Sequence, residues 1–150
     1  MNIDWKQNPP AVCGYKWFRG GFLGLGLAGI GMVSFLSLRP NPAISTLKWV
    51  PKFIANWADR HGQFDNFPAY MAMGFPFFMI ISGFRRQMWI MAILSTFVVS
   101  LELTQLAIPT RHCDVGDMFW GSMGVAAAWA VCEVIKRFRI TIGSKPGPAA

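Results

Sequence analysis

The stretch S-L-E-L-T-Q-L-A-I-P-T-R-H-C-D-V-G-D, from Ser100 to Asp117, gathers most of the side chains that could do chemistry. Glu102 and Gln105 stand three residues apart, which on a helix puts them on one face. Glu102 lies inside a run otherwise apolar enough for a bilayer, where an ionisable group is expensive unless it faces protein or water and has a partner. Beyond Pro109, which ends the helix, Arg111, Asp114 and Asp117 follow at spacings of three. These groups could hold a polar head group; with Glu102 as base and Arg111 as phosphate clamp they could also serve a reaction on a lipid-linked substrate. Structural uses compete with both: Asp114 as N-cap of the next helix, Asp117 as a first-turn acid favoured by the helix dipole, Arg111 as ion-pair partner of Glu102 or of an aspartate. Packing explains Glu102 least well. The expectation is a buried Glu102 within hydrogen-bond or ion-pair reach of Arg111.

The elements that must position these groups follow from composition. A chain of 150 residues that is 53% hydrophobic and 14% charged has too little polar surface to cover a soluble domain. It reads as one all-α polytopic membrane domain over residues 1–150, with four spans at about 20–38, 67–83, 88–108 and 118–135. The second span is short and carries Pro76, which predicts a kink. Of the 14 basic residues, nine (Lys6, Lys16, Arg19, Arg85, Arg86, Lys136, Arg137, Arg139, Lys145) fall on one side of such a layout, opposed there by Asp4 and Glu133. The other side is balanced, with Arg39, Lys48, Lys52, Arg60 and Arg111 against Asp59, Asp65, Glu102, Asp114 and Asp117. The positive-inside rule then puts both termini in the cytoplasm and the Glu102–Asp117 site on the outer face. The net charge of +7 reflects this topology and attraction to anionic lipid, which argues against a nucleic-acid partner.

The first span lacks a small-residue cleavage site after Leu38 and reads as a retained anchor, with Trp5, Tyr15 and Trp17 ahead of it as an aromatic belt. The tail after Thr141 has the composition of a disordered end. Cys13, Cys113 and Cys132 make no disulfide framework, and no zinc spacing is present. His112, Cys113 and Asp114 are adjacent and converge poorly on one ion, while His61 and His112 fall in loops, away from any haem at membrane depth; no metal or cofactor is expected. In the loop over residues 40–65, Trp49, Phe53 and Trp57 recur every four residues around Pro51. That spacing predicts one or two short amphipathic helices, lying on the membrane surface or packed on the top of the bundle. Small residues line one side of the first span (Gly20, Gly24, Ala28, Gly31) and of the fourth (Gly121, Gly124, Ala128), a pattern that lets helices approach closely within one bundle.

The series Glu102, Gln105, Pro109, Arg111, Asp114, Asp117 and Gly124, with Asn66, Tyr70 and Gly74 upstream, resembles the signature of the VanZ-like family. Two positions depart from it: Gly121 stands where that family usually has Asn, and Gly62 where it usually has Asp, with Asp65 nearby. A site built from all of the family's polar groups is incomplete here, which weighs against catalysis. The resemblance implies the same four-helix layout, a bacterial cytoplasmic-membrane location, no cofactor, and an envelope role without a settled biochemical activity. Three functions follow in order of preference. The first is a non-catalytic protein whose outward site, Glu102, Gln105, Arg111, Asp114 and Asp117 with Asn66, binds an envelope lipid or glycolipid head group. The second is an accessory subunit of a larger membrane complex, and the third a membrane enzyme acting on a lipid-linked substrate.

Overall fold

The computed structural model describes residues 13–41 and 43–143, which form helices and turns with no strand among them. Five α-helices follow in order: α1 (Cys13–Leu38), α2 (Lys52–His61), α3 (Asn66–Ile80), α4 (Phe84–Gln105) and α5 (Val115–Gly143), with short 3-10 turns at Ile44–Thr46 and Gly62–Asp65. Trp5 and the tail from Ser144 onward lie outside the described residues, as do the side chains of Tyr15 and Trp17.

Three helical segments are long and apolar enough to cross a membrane, Phe18–Leu38, Phe84–Gln105 and Val115–Phe138, as a multi-pass membrane protein requires. The second expected span is the exception in length. It forms α3, 15 residues that run continuously across Pro76, or about 22 Å at the usual helical rise. This short helix is the centre of the bundle, packed against α1 on one side and α5 on the other, while α4 lies mainly on α5. Its Tyr70, Met73, Gly74, Pro76, Phe77 and Phe78 are buried, and with Val33, Leu94, Val98, Val125, Ala128 and Cys132 they make the core. Large apolar side chains of α1, α4 and α5, among them Leu25, Phe35, Ile93 and Phe138, point outward, as lipid-facing surfaces do. The third expected span ends earlier than its apolar run, at Gln105, because Leu106, Ala107 and Ile108 wind into tight turns bonded to Leu103, Thr104 and Gln105.

Where helices approach closely, glycine is the reason, but not all the glycines expected. A Cβ on Gly124 would run into the α3 backbone at the Phe67 carbonyl, and one on Gly121 would stand 2.7 Å from Val98 Cγ1. Gly74 packs beside Ala128. On α1 the contact face is a different one from that read in the sequence. Gly20, Gly24 and Gly31 meet nothing within 4 Å, whereas a Cβ on Gly26 or Gly29 would crowd Phe77 or Met73. Residues 26, 29 and 33 share one helical face, and the buried Val33 turns that face toward α3.

The end of the bundle carrying the α3–α4 turn is closed by a polar network. Gln87, 2% exposed, donates to Glu133 Oε1 at 2.6 Å and to the Ile81 carbonyl at 3.2 Å, and accepts from Trp129 Nε1 at 3.3 Å. Lys136 donates to the same Ile81 carbonyl at 2.8 Å and pairs with Glu133 at 3.4 Å. Gly83, with φ of +96°, makes the sharp turn that brings Ile81 beneath these groups.

At the opposite end α2 lies across the helix tips. Pro51 precedes its first residue, and Gly62, at φ +50°, stops it. It packs on the turns Ile44–Thr46 and Gly62–Asp65 and buries Ala55 and Ala58; of the aromatic stripe, Trp49 just before it and Phe53 are 59% and 76% exposed, while Trp57 faces the space beneath the helix.

Candidate functional site

The tips of α1, α3, α4 and α5, with α2 beside them, line a half-open cavity of about 810 Å³ whose walls include Arg39, Trp57, Asp65, Glu102, Arg111 and Asp117. Gln105 and Asn66 line it as well. Glu102 reaches it from the last turns of α4 with its side chain 2% exposed. Its Oε1 accepts a 3.0 Å hydrogen bond from Gln105 Nε2, the i to i+3 neighbour on the same face. Its Oε2 is buried and has no partner.

Arg111 does not pair with Glu102. The Arg111 guanidinium turns instead to the end of α1, donating from Nη2 to the Leu36 carbonyl at 2.9 Å and from Nε to the Arg39 carbonyl at 3.2 Å. The last carbonyls of a helix lack intrahelical partners, and a guanidinium there satisfies them and complements the helix dipole. Thr110 adds a bond to the Pro40 carbonyl at 2.7 Å, so the α4–α5 turn clamps the end of α1. Burial holds Arg111 below the ordinary guanidinium value, and the nearby charge of Glu102 acts the other way; the two interact through the field rather than by contact.

Asp114 is the N-cap of α5: its Oδ1 accepts from Gly116 N at 2.7 Å, and its carbonyl accepts from the backbone N–H groups of Asp117 and Met118. That leaves Asp114 at the rim, engaged in holding the helix start. Asp117 sits in the first turn of α5, as a dipole-favoured acid would, with Asn66 beside it, yet its Oδ1 is buried without a partner. His112 is exposed, and Asp114 is engaged, so the adjacent His-Cys-Asp residues do not converge.

Three groups join the site that motif spacing did not assign to it. Asp65, in the turn before α3, has its carboxyl pushed up to about 6 by burial and by the neighbouring Asp117. Tyr70, 1% exposed, holds its hydroxyl near Ser37 and Glu102 without a hydrogen-bond partner. Arg39 donates from Nη2 to the Ala43 carbonyl and Thr46 Oγ1 and keeps a buried Nη1 unpaired. Tyr70 stood in the signature and Asp65 beside it; Arg39 carried only the signal of a charge at the end of an apolar run, before Pro40. Asp59 fixes α2 to the turn before it, its carboxylate taking the backbone N–H groups of Ile44 at 2.7 Å and Ser45 at 3.1 Å. Hydrogen bonding from Ser45 and Ile44 holds that carboxyl below its usual value.

The family model described as VanZ/LLP1 matches residues 22–136, from α1 to the last turns of α5 and so through every wall of the cavity. No curated protein and no solved structure matches the chain.

Proposed function

The chain belongs to the VanZ/LLP1 family, and from that membership and the cavity we propose that it is a non-catalytic protein of the bacterial cytoplasmic membrane that binds the head group of an envelope lipid or glycolipid. The observation that carries this reading is a cavity of about 810 Å³ at the helix tips, within the size range of small-molecule sites, lined by Glu102, whose carboxylate has a buried, unpaired oxygen. In this reading α3 is the fourth span. Its 15 residues are shorter than the roughly 30 Å of a bilayer core, but neighbours surround it, so its ends need not meet lipid. The uneven division of basic residues supports cytoplasmic termini and an outward cavity. The exposed aromatic side chains of α2 would then rest in the head-group layer beside the cavity.

The test is to fill the cavity without touching its polar groups. Ala69 lines it from α3, and Ala69→Phe is expected to abolish site-bound lipid in native mass spectra of the detergent-purified protein while its melting temperature changes little. Unchanged lipid retention in a folded Ala69→Phe variant overturns the reading.

A second reading, an accessory subunit of a larger membrane complex, is favoured by the open glycine face of α1, where Gly20, Gly24 and Gly31 meet nothing within 4 Å. Migration of the native protein with a large complex in mild detergent, lost when Gly24 and Gly31 are replaced by Leu, would support it; migration as a single small species would remove it.

A further inference from the structure

We infer that the head group recognised in the cavity is a primary ammonium, taken up by carboxylate oxygens, and that a phosphate by itself is not the determinant; this rests on the reading that the cavity binds a head group at all. On the acceptor side, Glu102 Oε2 and Asp117 Oδ1 are both buried and unpaired, and the Glu102 side chain, 98% buried, lines the cavity directly. Asp65 adds a third carboxyl to the same wall, close enough to Asp117 for their charges to interact. On the donor side each guanidinium is partly engaged and fixed in place. Arg111 holds the Leu36 and Arg39 carbonyls through Nη2 and Nε, and Arg39 holds Ala43 and Thr46 through Nη2.

A phosphate needs convergent N–H donors, and both guanidinium groups of this cavity are anchored to protein acceptors, Arg111 to the end of α1 and Arg39 to Ala43 and Thr46. An ammonium needs convergent oxygen acceptors, and it brings three N–H groups to fill them. A buried carboxylate oxygen without a donor is costly, so a ligand supplying that donor recovers a charge-assisted hydrogen bond on binding. A quaternary ammonium carries the charge but no N–H, and leaves Glu102 Oε2 as bare as before. The unpaired Arg39 Nη1 fits the same ligand class: the phosphate of a zwitterionic phosphoethanolamine head group would meet it while the amine meets the carboxylates. An amino sugar presents the same ammonium without that phosphate.

The experiment is lipid competition on the full-length protein in detergent micelles, read by native mass spectrometry, with phosphatidylethanolamine, phosphatidylcholine and phosphatidylglycerol of identical acyl chains. Phosphatidylethanolamine is expected to bind about tenfold more tightly than either of the others, the worth of one charge-assisted hydrogen bond. Glu102→Gln keeps the acceptor for Gln105 and the side-chain volume, and is expected to erase that preference. Asp117→Asn, in the first turn of α5, provides the same readout should Glu102→Gln fail to fold. Displacement of the lipid by glucosamine but not by ethanolamine phosphate assigns the ammonium to an amino sugar, and the reverse assigns it to a phospholipid; either supports the amine. Equal binding of phosphatidylcholine, or a preference unchanged in both variants, overturns it. Preference for phosphatidylglycerol that depends on Arg39 overturns the amine while leaving head-group binding intact. Lipid adducts of every class that are indifferent to Ala69→Phe end both readings.

Discussion

The two ends of the bundle carry similar polar groups and treat them in opposite ways. Where α3 turns into α4, every polar atom of the Gln87 side chain is engaged, with Glu133, Ile81 and Trp129 as partners and Lys136 closing the ring. Where α4 turns into α5, Glu102 Oε2, Asp117 Oδ1, the Tyr70 hydroxyl and Arg39 Nη1 are buried without partners. A fully satisfied buried network rigidifies; a partly satisfied one is unstable by itself and is retained where something else completes it. The comparison teaches that an acid near a helix end is not a signal of function by itself. Glu133 and Glu102 are both acids within apolar helices, and only the second is left with a buried, unoccupied oxygen.

The sharpest way to break this contrast is at Arg111. Arg111→Leu removes two hydrogen bonds from a charged donor to the end of α1 and is expected to lower stability by about 3 kcal/mol in detergent unfolding curves. Since Arg111 makes no ion pair with Glu102, adding Glu102→Leu should not rescue it, and the two changes should add to within about 0.5 kcal/mol. Recovery by more than that in the double variant would mean that the cavity end is held by a direct charge pair after all.

A smaller effect compares the ends directly. Gln87→Leu strands Glu133, Trp129 and the Ile81 carbonyl and is expected to cost about 2 kcal/mol. Glu102→Gln preserves the bond from Gln105 and removes an uncompensated charge, so its effect should stay below about 1 kcal/mol in either direction. Equal losses at the two positions would make the cavity end a second structural clamp and not a site.

The smallest effect is pH-dependent. Asp65 titrates at about 6 in the folded protein against 3.8 for the ordinary side chain, so the folded state holds this proton more tightly than the unfolded one. Stability from this group is therefore greatest below pH 4, declines as pH rises through 4 to 6, and stays low above. Asp65→Asn removes the penalty and should stabilise the protein by about 1 kcal/mol at pH 7.5, allowing for water that reaches a partly exposed carboxyl, with the gain vanishing near pH 4. Thermal unfolding of both proteins at the two pH values measures this, and a gain that persists at pH 4 would assign it to something other than ionisation.

Much of the local chemistry could be read along the chain because it depends on residues close in sequence. Asp114 as N-cap, Asp117 in the first turn, the shared helix face of Glu102 and Gln105 and the helix break at Pro51 all need only spacing and intrinsic geometry. The failures concern partners distant in sequence. Arg111 was expected on Glu102, nine residues away, and instead reaches Leu36, 75 residues away. The glycine stripe of α1 was a correct count of small residues on the wrong face, because Gly26 and Gly29 are no less small than Gly24 and Gly31, and only the position of α3 distinguishes them.

What the sequence determined by itself was the set of long apolar helices, their approximate limits and the polar residues at their tips, since hydropathy, helix breakers and capping act within a few residues. Tertiary structure decided that the shortest of the four bundle helices lies at the centre, that a guanidinium closes one helix end and leaves a carboxylate open, and that four acids line one cavity. Those outcomes turn on which backbone carbonyls and carboxylates meet when α1, α3, α4 and α5 pack, and no local spacing encodes that meeting.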